Sequence, residues 1–327
     1  MFKLVLILLL FYFLSLFSLT SCNSTQNNRP IIGVIAQPYN VSSPNITFIP
    51  SSYVRFLEAA GARVVPIPYD LPKQELKKLF KSLNGLLFTG GDTVLWDIEK
   101  NTYTNFSSAG KYLIELAIIA NKKGDYFPIW GTCLGYELLL ITIANGYVLE
   151  TFDSTNHRTQ LAYFKNLTKN SKMFKKLTPK LKKNSEKKDL MFFFHHYGIS
   201  VEGLQNNSAL SSFFKITSTA KSKDGKTFVA SIEGKRFPFY GVQYHPEKTL
   251  AEWTKMLDLD HSEDAIEYSL YLSKFYVSET RKNFHFFKNN QTEEKSLISN
   301  YCPVKQEGKT FSDAYFFKSN NIEQTFE

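Results

Sequence analysis

The feature that most constrains the fold is a cysteine between two glycines, at the boundary of two apolar segments. Residues 126–130 are aromatic and β-branched, which predicts a buried strand, and residues 136–141 are predicted to begin a helix. Between them lies the motif Gly131-Thr132-Cys133-Leu134-Gly135. A nucleophile on a sharp strand-to-helix turn needs small neighbours, because the turn crowds its flanks and strains its backbone. The helix N-terminus also favours a thiolate, so the pattern predicts that Cys133 is a nucleophile.

Strand-like and helix-like segments alternate upstream of this turn. Strands are predicted at residues 29–36, 62–67 and 84–88, and helices at residues 49–60, 71–83 and 109–121. This β-α-β-α order predicts an α/β fold whose mainly parallel sheet is covered on both faces. Ligands bind such sheets at the carboxyl ends of the strands, where Gly90, Gly91 and Cys133 all lie.

The second half of the chain is less regular. Strands are predicted at residues 191–194, 213–219, 227–233 and 239–243, and a long helix from residue 263. The lysine-rich stretch 165–188 has few apolar residues and is expected to be irregular and exposed. We predict one domain over residues 29–288, followed by a polar, loosely ordered tail over residues 289–327.

The N-terminus is typical of a secretory signal peptide, assigned to residues 1–22. Lys3 precedes an apolar run from Leu4 to Leu19 and a small-residue exit at Ser21-Cys22. The alternatives are a membrane anchor, for which the run falls short of the ~20 residues of a spanning helix, and bacterial lipidation at Cys22. Seven N-x-[ST] sequons favour a eukaryotic glycoprotein of the secretory pathway. They lie at Asn23, Asn40, Asn45, Asn105, Asn166, Asn206 and Asn290.

The net charge and the cysteine content bear on which binding partners and which disulfides we expect. The formal net charge is +9, but the leader and the lack of a nucleic-acid-binding motif argue against DNA or RNA, and we expect no membrane association after leader cleavage. Besides Cys22 the chain has Cys133 and Cys302. A disulfide would consume the thiol of the elbow, so we predict no intrachain disulfide, and Cys302 has no assigned role.

A cysteine nucleophile needs a base and a group that orients the base. His245 follows a predicted strand, and Glu247 comes two residues later, with Pro246 restricting the backbone between them. One loop can thus present an imidazole together with an orienting carboxylate. The alternative is a surface turn without function, which the hydrophobic strand and the cysteine elbow disfavour.

These motifs carry a family resemblance. Residues 131–135 together with 241–247 (Gly-Val-Gln-Tyr-His-Pro-Glu) resemble the class I glutamine amidotransferase-like superfamily, and within it the gamma-glutamyl hydrolase family. Residues 52–66, 84–88 and 125–130 support the resemblance, which runs from about Arg29 to the C-terminal helix. It implies a three-layer α/β/α sandwich of the flavodoxin-like kind. We expect no synthetase domain after this region, which argues against a biosynthetic amidotransferase.

The implied reaction is hydrolysis of the γ-glutamyl bonds of folylpoly-γ-glutamates and antifolate polyglutamates through a γ-glutamyl thioester, without cofactor or metal. The resemblance makes Cys133 the nucleophile, His245 the general base and acid, and Glu247 the orienting residue. It implies an oxyanion hole from the N–H groups of Gly91 and Leu134. Glu137, Gly90 and His195 would meet the substrate, with His196 as the alternative histidine. It also suggests a homodimer, in a lysosome or vacuole or outside the cell.

Two departures from the family pattern are mild. Thr89 stands where proline is common, and Tyr244 where tryptophan is common.

Three other functions stay open: an amide hydrolase acting on glutamine or another substrate, a catalytically silent binding protein of this fold, and an α/β-hydrolase. The last expects its acid before its histidine, which is not the order of His245 and Glu247. Whether cleavage is endo or exo is left open.

Overall fold

The computed structural model describes residues 26–39, 46–164 and 170–318. The predicted signal peptide and the sequons at Asn23, Asn40, Asn45 and Asn166 lie outside the described residues.

Strands and helices alternate through the first half and become less regular later. The strands are β1 (Ile31–Pro38), β2 (Ile46–Pro50), β3 (Arg63–Pro68), β4 (Gly85–Phe88), β5 (Trp96–Asp97), β6 (Thr102–Tyr103), β7 (Ile129–Thr132), β8 (Glu150–Thr159), β9 (Ala162–Tyr163), β10 (Met191–Gly198), β11 (Phe214–Lys221), β12 (Thr227–Gly234), β13 (Phe239–Val242), β14 (Val304–Lys305) and β15 (Asp313–Lys318). The α-helices are α1 (Ser51–Glu58), α2 (Lys73–Phe80), α3 (Asn105–Lys122), α4 (Leu134–Ala144), α5 (Pro179–Lys187), α6 (Val201–Asn206), α7 (Ser208–Phe213), α8 (Pro246–Ala251), α9 (Glu263–Thr280) and α10 (Asn290–Ser296). Among the helices described, none is both long and apolar enough to cross a membrane.

The centre of the large sheet is parallel, in the order β3-β1-β4-β7-β13. Strands β12, β11 and β9 extend it with antiparallel pairs on one side. On the other side β2 pairs antiparallel with the end of β1, and β15 and β14 follow. Strands β8 and β10 form a separate two-stranded sheet. The prediction of a mainly parallel central sheet is confirmed.

Two hydrophobic cores lie on opposite faces of this sheet. One includes Leu76 of α2, Leu113 of α3 and Leu138 of α4. The other includes Val54 of α1 and Leu272 of α9. Because a sheet with two apolar faces must be covered on both, this arrangement is a three-layer α/β/α sandwich, as the family resemblance implied.

The C-terminal residues are more ordered than their polar composition predicted. Helix α10 is capped by the Asn289 side chain, and five residues of β15 pair with all of β2. Ala314 and Phe317 are buried. The prediction of a loose tail is therefore wrong for residues 289–318, because the antiparallel partner of β15 lies far upstream and leaves no local pattern.

The lysine-rich stretch is also more structured than predicted. Within its described part, α5 is a regular helix, and Met173 and Phe174 are buried. The buried Glu233 carboxylate accepts hydrogen bonds from Ser171 Oγ at 2.6 Å and the Met173 N–H at 3.1 Å. These bonds tie the stretch to β12, so its described part is packed against the domain.

Candidate active site

Three neighbouring parallel strands end at the same edge of the sheet and carry the predicted site residues. Phe88 of β4 lies opposite Gly131 of β7, and Val242 of β13 lies opposite Thr132. The Cys133 N–H continues this ladder by donating to the Val242 carbonyl at 2.8 Å. The loops that follow β4, β7 and β13 therefore converge.

The turn at Cys133 has the strained backbone of a nucleophile elbow. Cys133 has φ +50° and ψ −108°, a region that residues with a Cβ rarely adopt. A Cβ on Gly131 would lie 2.5 Å from the Gly135 carbonyl oxygen, and one on Gly135 only 2.1 Å from that of Phe88. Both glycines are thus required by close backbone approaches.

Cys133 is 3% exposed, and its thiol lies 3.7 Å from the Phe194 carbonyl oxygen, to which it donates. Burial, together with the charges of Glu137 and Glu247, raises the pKa of this thiol. The Leu134 N–H and Lys248 act in the opposite direction but do not reverse the pKa change. The N-terminus of α4 therefore favours a thiolate through the Leu134 N–H, as predicted, but burial and the two glutamates outweigh it, and the thiol needs a base.

His245 and Glu247 form a buried pair at the start of α8. The backbone N–H of His245 donates to the Phe192 carbonyl at 2.9 Å, which fixes the loop. The imidazole Nδ1 lies 2.7 Å from Glu247 Oε1, so Nδ1 carries the proton and Nε2 is left as an acceptor. Within the described chain, His245 Nε2 is buried without a hydrogen-bond partner.

Gly90 lies between the imidazole and the thiol. A Cβ at this position would lie 2.6 Å from His245 Cε1 and 3.1 Å from Cys133 Cβ. The side chains of His245 and Cys133 therefore both approach Gly90. The Gly90 N–H donates to the Tyr53 hydroxyl at 2.7 Å, and that hydroxyl is 3.4 Å from His245 Nδ1. Tyr53, a residue of α1, is a member of the site that the sequence reasoning missed.

A buried glutamine supports the loop after β4. Gln37 Nε2 donates to Thr89 Oγ1 at 2.7 Å and to the Gly90 carbonyl at 2.8 Å. A Cβ on Gly91 would lie 2.0 Å from Gln37 Oε1, so this position also requires glycine. Both backbone groups of Gly90 are therefore engaged within the protein. The Gly91 N–H has no partner among the hydrogen bonds of the described residues.

Glu137 lies in the first turn of α4 and is buried. Its Oε1 accepts a hydrogen bond from Gln243 Nε2 at 3.0 Å. Burial raises the pKa of the Glu137 carboxyl to about 8. Gln243, which the sequence reasoning did not single out, thus orients a carboxyl one helical turn from Cys133.

Of the two candidate histidines, His195 is the buried one. Its Nδ1 lies 2.8 Å from the Tyr197 carbonyl oxygen, which makes Nδ1 the donor, and its ring contacts Phe228 edge-on. Burial lowers the pKa of His195 to about 3, so the ring is neutral. His196 is exposed beside Thr155. The strand of His195 contacts the thiol through the Phe194 carbonyl.

No group of three or more His, Cys, Asp or Glu residues in the described ranges is arranged to hold a metal ion. The polar groups around Cys133 are instead those of a thiol nucleophile with a histidine and a carboxylate. A buried cysteine elbow with such a pair, at the edge of a three-layer α/β/α sandwich, is the arrangement expected of a cysteine hydrolase.

Comparison with known proteins identifies the family. Residues 30–247 match the peptidase C26 family model. The chain is 38% identical to gamma-glutamyl hydrolase of Rattus norvegicus over 295 residues, covering 89% of this chain and 90% of that protein. It is 36% identical to gamma-glutamyl hydrolase B of Dictyostelium discoideum, covering 97% and 88%, and to the Homo sapiens gamma-glutamyl hydrolase, covering 88% and 90%. The chain belongs to the peptidase C26 family and is a hydrolase related to the gamma-glutamyl hydrolases. This assignment excludes the alternative of an α/β-hydrolase fold.

Proposed function

We propose that this protein hydrolyses the γ-glutamyl bonds of folylpoly-γ-glutamates and antifolate polyglutamates, with Cys133 as nucleophile. The observation that carries the proposal is the buried Nε2 of His245, which has no hydrogen-bond partner among the described residues, while its Nδ1 is held by Glu247 beside the cysteine elbow. An imidazole in this state accepts a proton at Nε2, and the raised pKa of the thiol makes such a base necessary.

The reaction begins when the Cys133 thiol passes its proton to His245 Nε2 and the thiolate attacks the scissile amide carbonyl. The N–H groups of Leu134 and Gly91 receive the oxyanion, each stabilising the transition state by about 3 kcal/mol. His245 then gives its proton to the departing amine as the C–N bond breaks, leaving a γ-glutamyl thioester. Water, deprotonated by His245, attacks the thioester and releases the glutamyl product and the thiol. Glu247 keeps the imidazole oriented throughout.

Glu137 supplies recognition of the glutamyl group in this proposal. A buried carboxyl one turn from the nucleophile suits the glutamyl nitrogen of the substrate, which in a poly-γ-glutamate chain is an amide N–H donor. His195, neutral and with Nε2 available as an acceptor, is the second proposed substrate contact.

The test is product analysis on a defined pteroyl polyglutamate, with glutamine as the competing substrate. We expect cleavage of the polyglutamate by the wild type and by Cys302→Ala, whose exposed thiol lies outside the site. Cys133→Ala should lose activity by several orders of magnitude at unchanged folding stability. Substantial turnover by Cys133→Ala would contradict the mechanism, and cleavage of glutamine alone would favour the amide-hydrolase alternative.

A small anionic substrate, rather than a nucleic acid or a membrane, is the partner proposed. The protein would act in the secretory pathway, in a lysosome or vacuole or outside the cell, once the leader is removed. The homodimer suggested by the resemblance stays a prediction, which sedimentation velocity of the secreted protein would test.

A further inference from the structure

The loop after β4 places two consecutive glycines beside the nucleophile. Gly90 is buried against Cys133, since a Cβ on it would lie 3.1 Å from Cys133 Cβ, and Gly91 is exposed. A peptide group between two glycines can rotate at little steric cost, because neither residue has a Cβ that restricts its backbone angles. The direction of the Gly91 N–H must therefore be set by contacts from outside this pair.

Gln37, at the carboxyl end of β1, makes such a contact. Its Nε2 donates to the Gly90 carbonyl oxygen at 2.8 Å and to Thr89 Oγ1 at 2.7 Å, and its Oε1 accepts a hydrogen bond from Thr93 Oγ1 at 2.9 Å. The side chain is 1% exposed. Both N–H donors and the oxygen of the amide are thus used, and the reversed amide would place its oxygen against the Gly90 carbonyl oxygen. Gln37 is therefore held in one orientation.

The bond to the Gly90 carbonyl also orients the Gly91 N–H. The two groups belong to one peptide unit, which is trans and planar. In such a unit the C=O and the N–H point in opposite directions, so a carbonyl that is directed at Gln37 turns the N–H away from it. Rotating this peptide to the opposite orientation would break the hydrogen bond to Gln37 Nε2.

The preceding peptide unit is anchored by a different element. The Gly90 N–H, which belongs to the unit that joins Thr89 to Gly90, donates to the Tyr53 hydroxyl of α1 at 2.7 Å. One peptide of the loop is thus held from α1 and the next from β1. Loss of the Gln37 amide would release the second peptide and leave the bond to the first in place.

We propose that Gln37 is a positioning residue, which fixes the Gly91 N–H in the direction from which it receives the oxyanion. The inference rests on the proposed function, in which Gly91 supplies one of the two oxyanion donors. Gln37 acts through the peptide that joins Gly90 to Gly91 and has no role in binding the substrate.

The experiment compares steady-state kinetics of the full chain on a defined pteroyl polyglutamate for the wild type, Gln37→Met and Gln37→Glu. Gln37→Met removes the donor, and Gln37→Glu keeps the shape and the oxygen that faces Thr93. In both variants kcat should fall by about 10- to 100-fold, because the donor is misplaced when the oxyanion forms. KM should stay within about twofold, since the oxyanion forms only after the substrate is bound. Thermal melts establish that each variant is folded.

Two probes of Cys133 separate positioning from a general structural effect. Alkylation by iodoacetamide forms no oxyanion, so its rate should stay within about twofold of the wild type in both variants. N-acetylglutamate γ-semialdehyde is the second probe. The thiol adds to its aldehyde carbon, and the former carbonyl oxygen takes the position of the oxyanion. Its inhibition constant should therefore weaken by about the same factor as kcat.

Two control variants are matched to these changes. Thr89→Val removes one acceptor of Gln37 Nε2 but keeps the bond to the Gly90 carbonyl, and its kcat should stay within about threefold of the wild type. Gln205→Met makes the same chemical change at an exposed position of α6 and should leave kcat unchanged.

Three outcomes would overturn the inference. They are a folded Gln37→Met with the kcat and aldehyde affinity of the wild type, an alkylation rate that falls as far as kcat, and a Thr89→Val that loses as much activity as Gln37→Met. A failure of the proposed function would instead appear in the wild type itself, which would not cleave the polyglutamate.

Discussion

At Cys133 the chain combines backbone strain with burial, and the two have different origins. The strain follows from a local steric pattern, since at both flanking glycines a Cβ would lie within 2.5 Å of a backbone carbonyl oxygen. The burial follows from the whole fold, and it raises the pKa of the thiol above its ordinary value. The local motif therefore predicts the nucleophile but not its protonation state.

Glu137 gives a prediction for stability as a function of pH. Burial raises the pKa of this carboxyl from 4.5 to about 8 in the folded protein. Between these values the folded state keeps a proton that the unfolded state has released, so the stability falls as the pH rises. Glu137→Gln removes this titration and keeps an oxygen for Gln243. We expect the variant to match the wild type near pH 4.5 and to exceed its free energy of unfolding by about 4 kcal/mol at pH 8.

Urea unfolding at the two pH values measures this difference. Glu202→Gln, which removes an exposed carboxyl on α6, is the control for the loss of one acidic side chain. If Glu137→Gln and the wild type lose stability in parallel as the pH rises, burial does not raise the pKa of the Glu137 carboxyl.

At the scale of elements, the C-terminal hairpin, which consists of β14, β15 and the loop between them, shows how part of a polar tail can join the sheet. Strand β15 pairs with β2 and buries Ala314 and Phe317, and the Phe317 ring meets that of Tyr301 edge-on. Residues 314–317 are apolar, but they lie in a polar tail without a neighbouring strand, because the stabilising partner is supplied by the other end of the domain. Edge pairing of this kind also covers β2, which would otherwise expose unpaired backbone groups.

The contribution of the hairpin to stability is measurable. Phe317→Ala empties a position that is 4% exposed and should lower the free energy of unfolding by about 3–5 kcal/mol. Phe286→Ala, at a position that is 77% exposed, should change it by no more than about 0.5 kcal/mol. Equal urea midpoints for the two variants would show that the hairpin is not packed on the domain.

For the whole molecule, the sequons and the leader predict a secreted glycoprotein. In the described chain Asn105, Asn206 and Asn290 are all exposed, as an attached glycan requires. Expression in a secreting eukaryotic cell should give a product whose mass falls on treatment with PNGase F and whose N-terminus lies near residue 23. Each Asn→Gln change at these three positions should remove one glycan from the total.

Asn300→Gln is the matched control, since Asn300 is exposed but begins no sequon. It should leave the glycan mass unchanged. A secreted product with no mass change after PNGase F would refute the glycoprotein prediction, and retention of the leader would refute the signal peptide.

Much of the candidate site could be predicted because its members occur in short motifs. The glycines around Cys133, and the proline between His245 and Glu247, leave a steric pattern that is visible within a few residues. Tyr53 and Gln37 could not be found this way, since each fits the ordinary pattern of its helix or strand. Tyr53 contacts His245, which lies 192 residues later in the chain, and neither segment has a local pattern that predicts this contact.

The sequence by itself determined the elbow, the order of cysteine, histidine and glutamate along the chain, and the mainly parallel α/β sheet, because steric requirements and hydrophobic periodicity act between neighbouring residues. Only the tertiary structure decided the protonation of Cys133 and Glu137, the support from Tyr53 and Gln37, and the place of the C-terminal hairpin. Desolvation and edge pairing depend on which distant segments come together, and that is a property of the folded chain as a whole.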